Sequence, residues 1–174
     1  QNRFGHISNG YGPLPLEEIT IADRLDKAGY TTGMVGKWHL EPNHADKRFI
    51  EKHNIEDPRK IPPKLAFPYH PRSRGFQETF FGYLNSYSVT YDLTGNRFPE
   101  PKRIMTGGDR IDRQSDAAVK FIDLHHDKPF FLYVAHYAPH VPLASSKKYL
   151  DRFPGDMPER RRYALAMISA VDEG

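Results

Sequence analysis

The 174-residue sequence predicts an α/β fold, with a mostly parallel sheet flanked by helices. Three observations predict it. Residues 20–36 read as a helix, a tight turn and a strand; residues 130–136 form a nearly continuous apolar run; and a helical pattern stands before each of these strands. An apolar run without polar alternation marks a strand covered on both faces, as in a parallel sheet under helices.

The first helix begins at Thr20-Ile21-Ala22-Asp23, a threonine N-cap with an acid three residues on, which is a capping box. Ile21, Leu25 and Ala28 recur at i, i+4 and i+7 as one stripe, and Gly29 stands where a left-handed C-cap glycine belongs. Tyr30 to Val35 follows as a strand that ends at Gly36. Residues 41–75 then hold six of the fifteen prolines and many charges with no sustained period, the composition of a long loop or lid. Gly75 to Leu84 is aromatic-rich and packs back on the body, while 85–108 reads as irregular, with turns at Thr94-Gly95-Asn96 and Gly107-Gly108.

Asp109 to His126 reads as a helix with Ile111, Ala118, Phe121, Ile122 and His125 on one broad face, stopped by Asp127-Lys128-Pro129. Phe130 to His136 is the second buried strand, and Tyr137-Ala138-Pro139-His140-Val141-Pro142 is the loop leaving it. A short helix around Ser146 to Phe153 and a longer one from Pro158 to Val171 complete the chain, which has no internal repeat.

Composition bounds the functions open to such a fold. With 27% charged and 38% hydrophobic residues the chain is neither disordered nor membranous, and it is long enough for one domain with a real core. No run approaches the length of a membrane span, and no signal-peptide pattern opens the chain. The net charge of +3 comes from basic residues scattered among acids, which is not a nucleic-acid footprint; Arg160-Arg161-Arg162 reads as a solvated helix face. The absence of cysteine excludes disulfides and thiolate metal sites. Gln1-Asn2-Arg3-Phe4-Gly5 lacks an initiator methionine, and the apolar helix Tyr163–Val171 runs straight into Asp172-Glu173-Gly174, so the chain is expected to be an internal piece of a larger protein.

The chemistry concentrates at strand exits. In an extended backbone Lys37 and His39 would point to one face, with Trp38 turned the other way to pack. A fixed cation beside a titratable imidazole suits an anionic group at which protons move, although two surface residues at a strand end would read the same. Ligands in open α/β sheets sit outside the carboxyl ends of the strands, and His140 leaves the second strand at that same edge. The other candidates have plainer readings. His136 reads as a satisfied structural histidine, His125-His126-Asp127 as a solvated helix end rather than a metal site, and Asp172 as a helix-end charge. His44, His53 and His70 lie in the proline-rich excursion, and Trp38, Tyr87 and Tyr91 read as packing residues.

Residues Gly29 to Leu40, with Gly36-Lys37-Trp38-His39 at their heart, closely resemble the second signature of the sulfatase family of the alkaline-phosphatase superfamily. Thr20 to Leu25 is similar to the usual lead-in. Gly75-Phe76 with Phe80-Phe81-Gly82, Pro129 to Tyr133, and Ala138-Pro139-His140-Val141-Pro142 resemble later blocks, in order. One departure is Glu41, where the signature usually continues with glycine. The resemblance implies an alkaline-phosphatase-like fold, incomplete here, with 1–174 as an internal part of the catalytic domain and 41–108 as an irregular excursion over its core. It implies hydrolysis of sulfate esters, of sulfated carbohydrate or aryl sulfate, by a formylglycine nucleophile beside a calcium ion. Lys37 would bind the sulfate and the formylglycine oxygen, His39 would take the formylglycine hydroxyl's proton, and His140 would contact the ester and assist the leaving oxygen. It also implies an exported (periplasmic, secreted or lysosomal) protein.

The formylglycine precursor is expected outside this chain: there is no cysteine, and Tyr69-His70-Pro71-Arg72-Ser73-Arg74 has Tyr where the Cys or Ser of the Cys/Ser-x-Pro-x-Arg motif belongs. The calcium ligands have no matching motif either, so no metal ligand is assigned within the chain. The same residues would also serve a phosphoester or phosphonate hydrolase of that superfamily, or a catalytically inactive homologue that binds anions or glycans.

Overall fold

The structure is a computed structural model that describes residues 12–107 and 109–174. The reading of Gln1–Gly5, and Gly108 of the turn expected at Gly107-Gly108, lie outside the described residues. The chain forms two compact units, one comprising the residues up to Thr32 together with Trp38–Gln77, the other Gly33–Lys37 together with Glu78–Gly174.

The smaller unit opens on helix α1 (Ile21–Lys27), and the capping box forms as expected: Asp23 N donates to Thr20 Oγ1 at 3.0 Å, and Thr20 N donates to the Asp23 carboxylate at 2.8 Å. Gly29 has φ +85°, the left-handed geometry of a helix stop. The expected stripe is rotated by one residue: Ile21 is exposed and Ala22 is buried instead. The reason lies at Gly75, whose φ is +89° and where a Cβ would sit 2.2 Å from Asp23 N, so a returning backbone presses directly on the helix at Ala22-Asp23. The Arg74 guanidinium anchors that return by donating to the carbonyls of Pro15 (3.1 Å), Leu16 (3.2 Å) and Glu18 (2.6 Å). Two short helices, α2 (Lys47–Lys52) and α3 (Pro63–Ala66), and 3-10 turns at Phe67–Tyr69 and Pro71–Arg74 complete this unit. Trp38 packs there as expected, buried edge-on to Phe76 with its indole N–H donating to Tyr69 O at 2.7 Å.

The larger unit holds a five-stranded sheet of order β4-β3-β2-β1-β5. Its strands are β1 (Thr31–Gly36, entering this unit at Gly33), β2 (Glu78–Tyr83), β3 (Ser86–Tyr91), β4 (Arg97–Met105) and β5 (Phe130–Ala135). The α/β architecture is the one expected, and the sheet is mixed: β1 pairs parallel with β2, while β2–β3 and β3–β4 are antiparallel. Three helices accompany it: α4 (Arg110–His125), α5 (Lys147–Leu150) and α6 (Glu159–Glu173).

Two expectations are corrected here. The stretch read as an irregular excursion to residue 108 carries only short helices and turns up to Gln77; from Glu78 to Met105 it builds three strands. The alternating Ser86-Tyr87-Ser88-Val89-Thr90-Tyr91 carries the period of a strand, and Pro99 and Pro101 fit β4 because it lies at the sheet edge, where a missing N–H is tolerated. Strand β5 is not buried on both faces: it lies at the other edge, with Tyr133 43% and Val134 37% exposed. An apolar run records surfaces that favour cover, not the neighbour that supplies it.

The core gathers Val35, Phe80, Tyr87, Val89, Tyr91, Ala117 and Phe121. Gly33 is required within it, because a Cβ there would lie 2.3 Å from the Phe121 ring. Tyr91 buries its whole ring while its hydroxyl donates to Ala117 O at 2.9 Å, and this removal from water pushes its pKa far up. The buried face of α4 runs through Ile111, Gln114, Ala117, Phe121 and His125; Ile122, expected on that face, is exposed. A second cluster joins Ile111 and Tyr149 to Ala166, Met167 and Ala170 of α6.

Candidate active site

The carboxyl edge of the sheet is assembled around a glycine. At Gly36, φ is +101° and a Cβ would stand 2.0 Å from Ala135 O, so only glycine lets the ends of β1 and β5 approach this closely. The next residue is fixed by that approach, Lys37 N donating to Ala135 O at 2.8 Å. The carboxyl ends of β1 and β5 therefore lie side by side, and β2, parallel to β1, ends at the same edge with Tyr83.

Four side chains converge there on Tyr137, which follows β5 and is buried. The Lys37 ammonium lies 4.8 Å from the Tyr137 ring centroid and 5.7 Å from that of Tyr83. The Arg110 guanidinium lies 4.6 Å from the Tyr137 centroid, and the His140 ring packs 5.0 Å from it at a tilt of 48°. The Tyr83 ring meets Tyr137 edge-on at 6.3 Å. Aromatic faces attract cations, so one ring draws together groups that would otherwise repel. Tyr137 is itself tied down: its N–H donates to the buried Gln114 side chain at 3.0 Å, and its hydroxyl donates to Val141 O at 3.0 Å.

Arg110 also secures the histidine loop, donating to the carbonyls of His140 (3.3 Å) and Pro142. Its burial lowers the guanidinium pKa, but an arginine remains charged at any physiological pH. His140 is exposed, and its Nδ1 lies 2.7 Å from Val141 O. A carbonyl only accepts, so Nδ1 carries a proton and Nε2 is the ring nitrogen left for other partners.

Of the residues expected to act, Lys37 and His140 are brought together on Tyr137. The alternation argument for His39 does not hold: β1 ends at Gly36, residues 37–40 lie outside any strand, and His39 itself adopts φ +58°. That left-handed geometry is rare for a residue with a Cβ and costs about 1–2 kcal/mol. His136, read as a satisfied structural histidine, keeps Nδ1 buried without a hydrogen-bond partner, and burial alone lowers its pKa. His125, read as part of a solvated helix end, is buried, with Nε2 2.9 Å from the Glu78 carboxylate and beside Arg97; His126 is exposed as expected. Among the described residues no group of three or more His, Cys, Asp or Glu could hold a metal ion.

Tyr137, Tyr83 and Arg110 were not singled out from the sequence. Arg110 carried a readable signal: a cation in the first turn of a helix opposes the helix dipole, so some other interaction must hold it there. Tyr137 carried none beyond its place between two histidine-bearing stretches.

The Sulfatase family model matches residues 1–174. The chain is 31% identical to the uncharacterized sulfatase YdeN of Escherichia coli over 99% of its own length and 31% of the relative's. It is 33% identical to mouse arylsulfatase J over 92% of its length and 25% of the relative's. Among solved structures, that of Ps i-CgsB superposes with a TM-score of 0.64 at 25% identity, covering 95% of this chain and 36% of the other. The chain thus spans between a quarter and a third of these curated relatives. With the family model matching along the whole length, the chain belongs to the sulfatase family.

Proposed function

We propose that the protein to which this chain belongs hydrolyses sulfate esters, and that these residues form the substrate-facing wall of its site. The observation that carries this reading is the convergence of Lys37 and His140 on Tyr137, at the carboxyl edge of a sheet in a sulfatase-family chain. In this reading Lys37 neutralises charge on the sulfate oxygens, where a compact ammonium suits a spread anion. His140 contacts the ester through Nε2 and, in its doubly protonated form, gives the Nε2 proton to the departing ester oxygen, returning to the neutral ring. His39 holds and moves a second proton, a role assigned from its place in the Gly36-Lys37-Trp38-His39 motif.

The formylglycine nucleophile and calcium complete the reading from outside this chain. The described residues offer no ligand set for the ion, so no step is routed through either group. Sulfated carbohydrates and aryl sulfates both fit this reading as substrates. It places the protein in an exported compartment, by family resemblance; none of the described helices is long and apolar enough to cross a membrane.

The test uses the full-length protein with 4-nitrophenyl sulfate and 4-nitrophenyl phosphate. Lys37→Ala, His39→Ala and His140→Ala should each lower sulfate-ester turnover by roughly 100-fold or more while leaving the melting temperature nearly unchanged. Near-normal rates in all three variants would show the site assignment to be wrong. Because a lysine–histidine wall accepts phosphate equally well, faster turnover of the phosphate ester would favour a phosphoester hydrolase. No turnover with retained anion binding would favour an inactive binding homologue.

A further inference from the structure

Three consecutive carbonyls in the loop after β5 are each held by a side chain. Those of His140 (3.3 Å) and Pro142 accept from Arg110 Nη2. That of Val141, between them, accepts from the Tyr137 hydroxyl at 3.0 Å and from His140 Nδ1 at 2.7 Å. The two anchors are themselves joined, because the Arg110 guanidinium lies 4.6 Å from the Tyr137 ring centroid. Gln114 stands one helical turn after Arg110 on α4, is wholly buried, and adds a further tie by accepting from Tyr137 N at 3.0 Å. The loop is thus fixed from the first two turns of α4.

The direction of the His140 ring depends on these ties. His140 is exposed, and what limits its ring is the Tyr137 ring, 5.0 Å away, and the Val141 carbonyl that accepts from Nδ1. Turning that carbonyl would turn the ring, and Nε2 with it. Arg110 holds the peptide groups on both sides of it. The place is a costly one for a cation. Arg110 is only 7% exposed, and its Nε is buried without a hydrogen-bond partner. It stands in the first turn of a helix, against the dipole. Its bonds run to carbonyls rather than to a carboxylate, and the adjacent Asp109 is committed to Ile111 N at 3.0 Å and Ser146 N at 2.8 Å. A buried charge held this way is destabilising compared with an apolar side chain of similar length, so packing alone does not account for an arginine here.

We infer that Arg110 is a positioning residue: it aims His140 Nε2 at the departing ester oxygen by fixing the carbonyls on either side of Val141. The inference rests on the sulfatase reading and deepens it. A reacting group misplaced by about 1 Å loses on the order of 100-fold in rate, so an exposed histidine that must meet one oxygen needs a rigid support. Arginine supplies it because the two N–H bonds of Nη2 leave a planar group in fixed directions, one for each carbonyl. A lysine ammonium carries the same charge with no plane to fix its donors.

The experiment measures kcat/KM of the full-length protein on phenyl sulfate, which has a poor leaving group, and on 4-nitrophenyl sulfate, which has a good one. A good leaving group departs with little need of a proton, so a residue that serves its protonation matters most for the poor one. His140→Ala and Arg110→Met should each lose roughly tenfold more, or beyond, on phenyl sulfate than on 4-nitrophenyl sulfate, and Arg110→Lys should show the same bias at smaller size. The double variant Arg110→Met/His140→Ala should fall within about threefold of His140→Ala alone, because nothing is left to position. Circular dichroism and melting temperature identify the folded variants, and a folded Arg110→Lys carries the comparison where Arg110→Met does not fold. Equal losses of the Arg110 variants on both esters, effects that multiply in the double variant, or unfolding of both Arg110 variants would overturn the positioning role and leave the sulfatase reading intact. Turnover of neither ester by the parent would overturn the sulfatase reading. A His140→Ala variant without the leaving-group bias would overturn the role of His140, and that of Arg110 with it.

Discussion

The ammonium of Lys37 lies 4.8 Å from the ring centroid of Tyr137, a residue one hundred positions later in the chain. The ring's negative face attracts the cation and restricts where a flexible four-carbon side chain can place it. Replacing Tyr137 by leucine should therefore lower kcat/KM on sulfate esters by roughly 3- to 30-fold, the worth of one cation–aromatic contact. Tyr137→Phe keeps the ring and loses only the bond to Val141 O, so it should retain most of the rate. If Phe and Leu are equally impaired, the hydroxyl rather than the ring positions the site.

Gly36→Ala should destabilise the protein more than a typical point substitution. The new Cβ would stand 2.0 Å from Ala135 O at a φ of +101°. The backbone conformation alone costs on the order of 1–3 kcal/mol for a residue with a Cβ, before the clash is relieved. Urea denaturation of the two proteins gives the difference directly, and a loss below about 1 kcal/mol would mean that the two strand ends can separate without cost.

At the opposite end of the sheet, His125 and Arg97 share the Glu78 carboxylate. The imidazole is almost wholly buried and packs 4.6 Å from the Phe121 ring. His125→Ala should cost about 2–3 kcal/mol through lost packing and a carboxylate deprived of a partner, with little effect on turnover. A large fall in rate at unchanged stability would contradict a structural role.

His136 gives the protein a readable pH dependence. Burial lowers its pKa in the folded state below the ordinary value near 6.5, so the unfolded chain takes up the proton more readily. The stability that this neutral ring allows is fully present above pH ~6.5 and is lost as pH falls from there through the lower, folded-state pKa. His136→Gln removes the titration, so its stability should fall less steeply than the parent's below pH ~6.5. Parallel pH profiles from denaturant midpoints would refute this.

What could be read along the chain was local. The capping box at Thr20, the stop at Gly29, the helix from Arg110 and the strand before Ala135 each follow from caps or periods within a few residues, and each is present. The strands at 86–91 and 97–105 were obscured because their alternation is short and two prolines interrupt the second, which an edge position tolerates. The partners of His125 were illegible for a different reason: Glu78 and Arg97 are 47 and 28 residues away, and only the pairing of strands brings them to it.

The sequence by itself determined the family, most helices, and two strand exits that deliver Lys37 and His140 to one edge of a sheet. Only the tertiary structure decided that those residues share the ring of Tyr137 and that Arg110 completes the group. Caps and periods act over one or two turns of chain, so they leave their mark in local sequence. Which ring meets which cation depends on strand order and on how closely Gly36 lets two backbones approach, and those are set by packing between residues far apart in the chain.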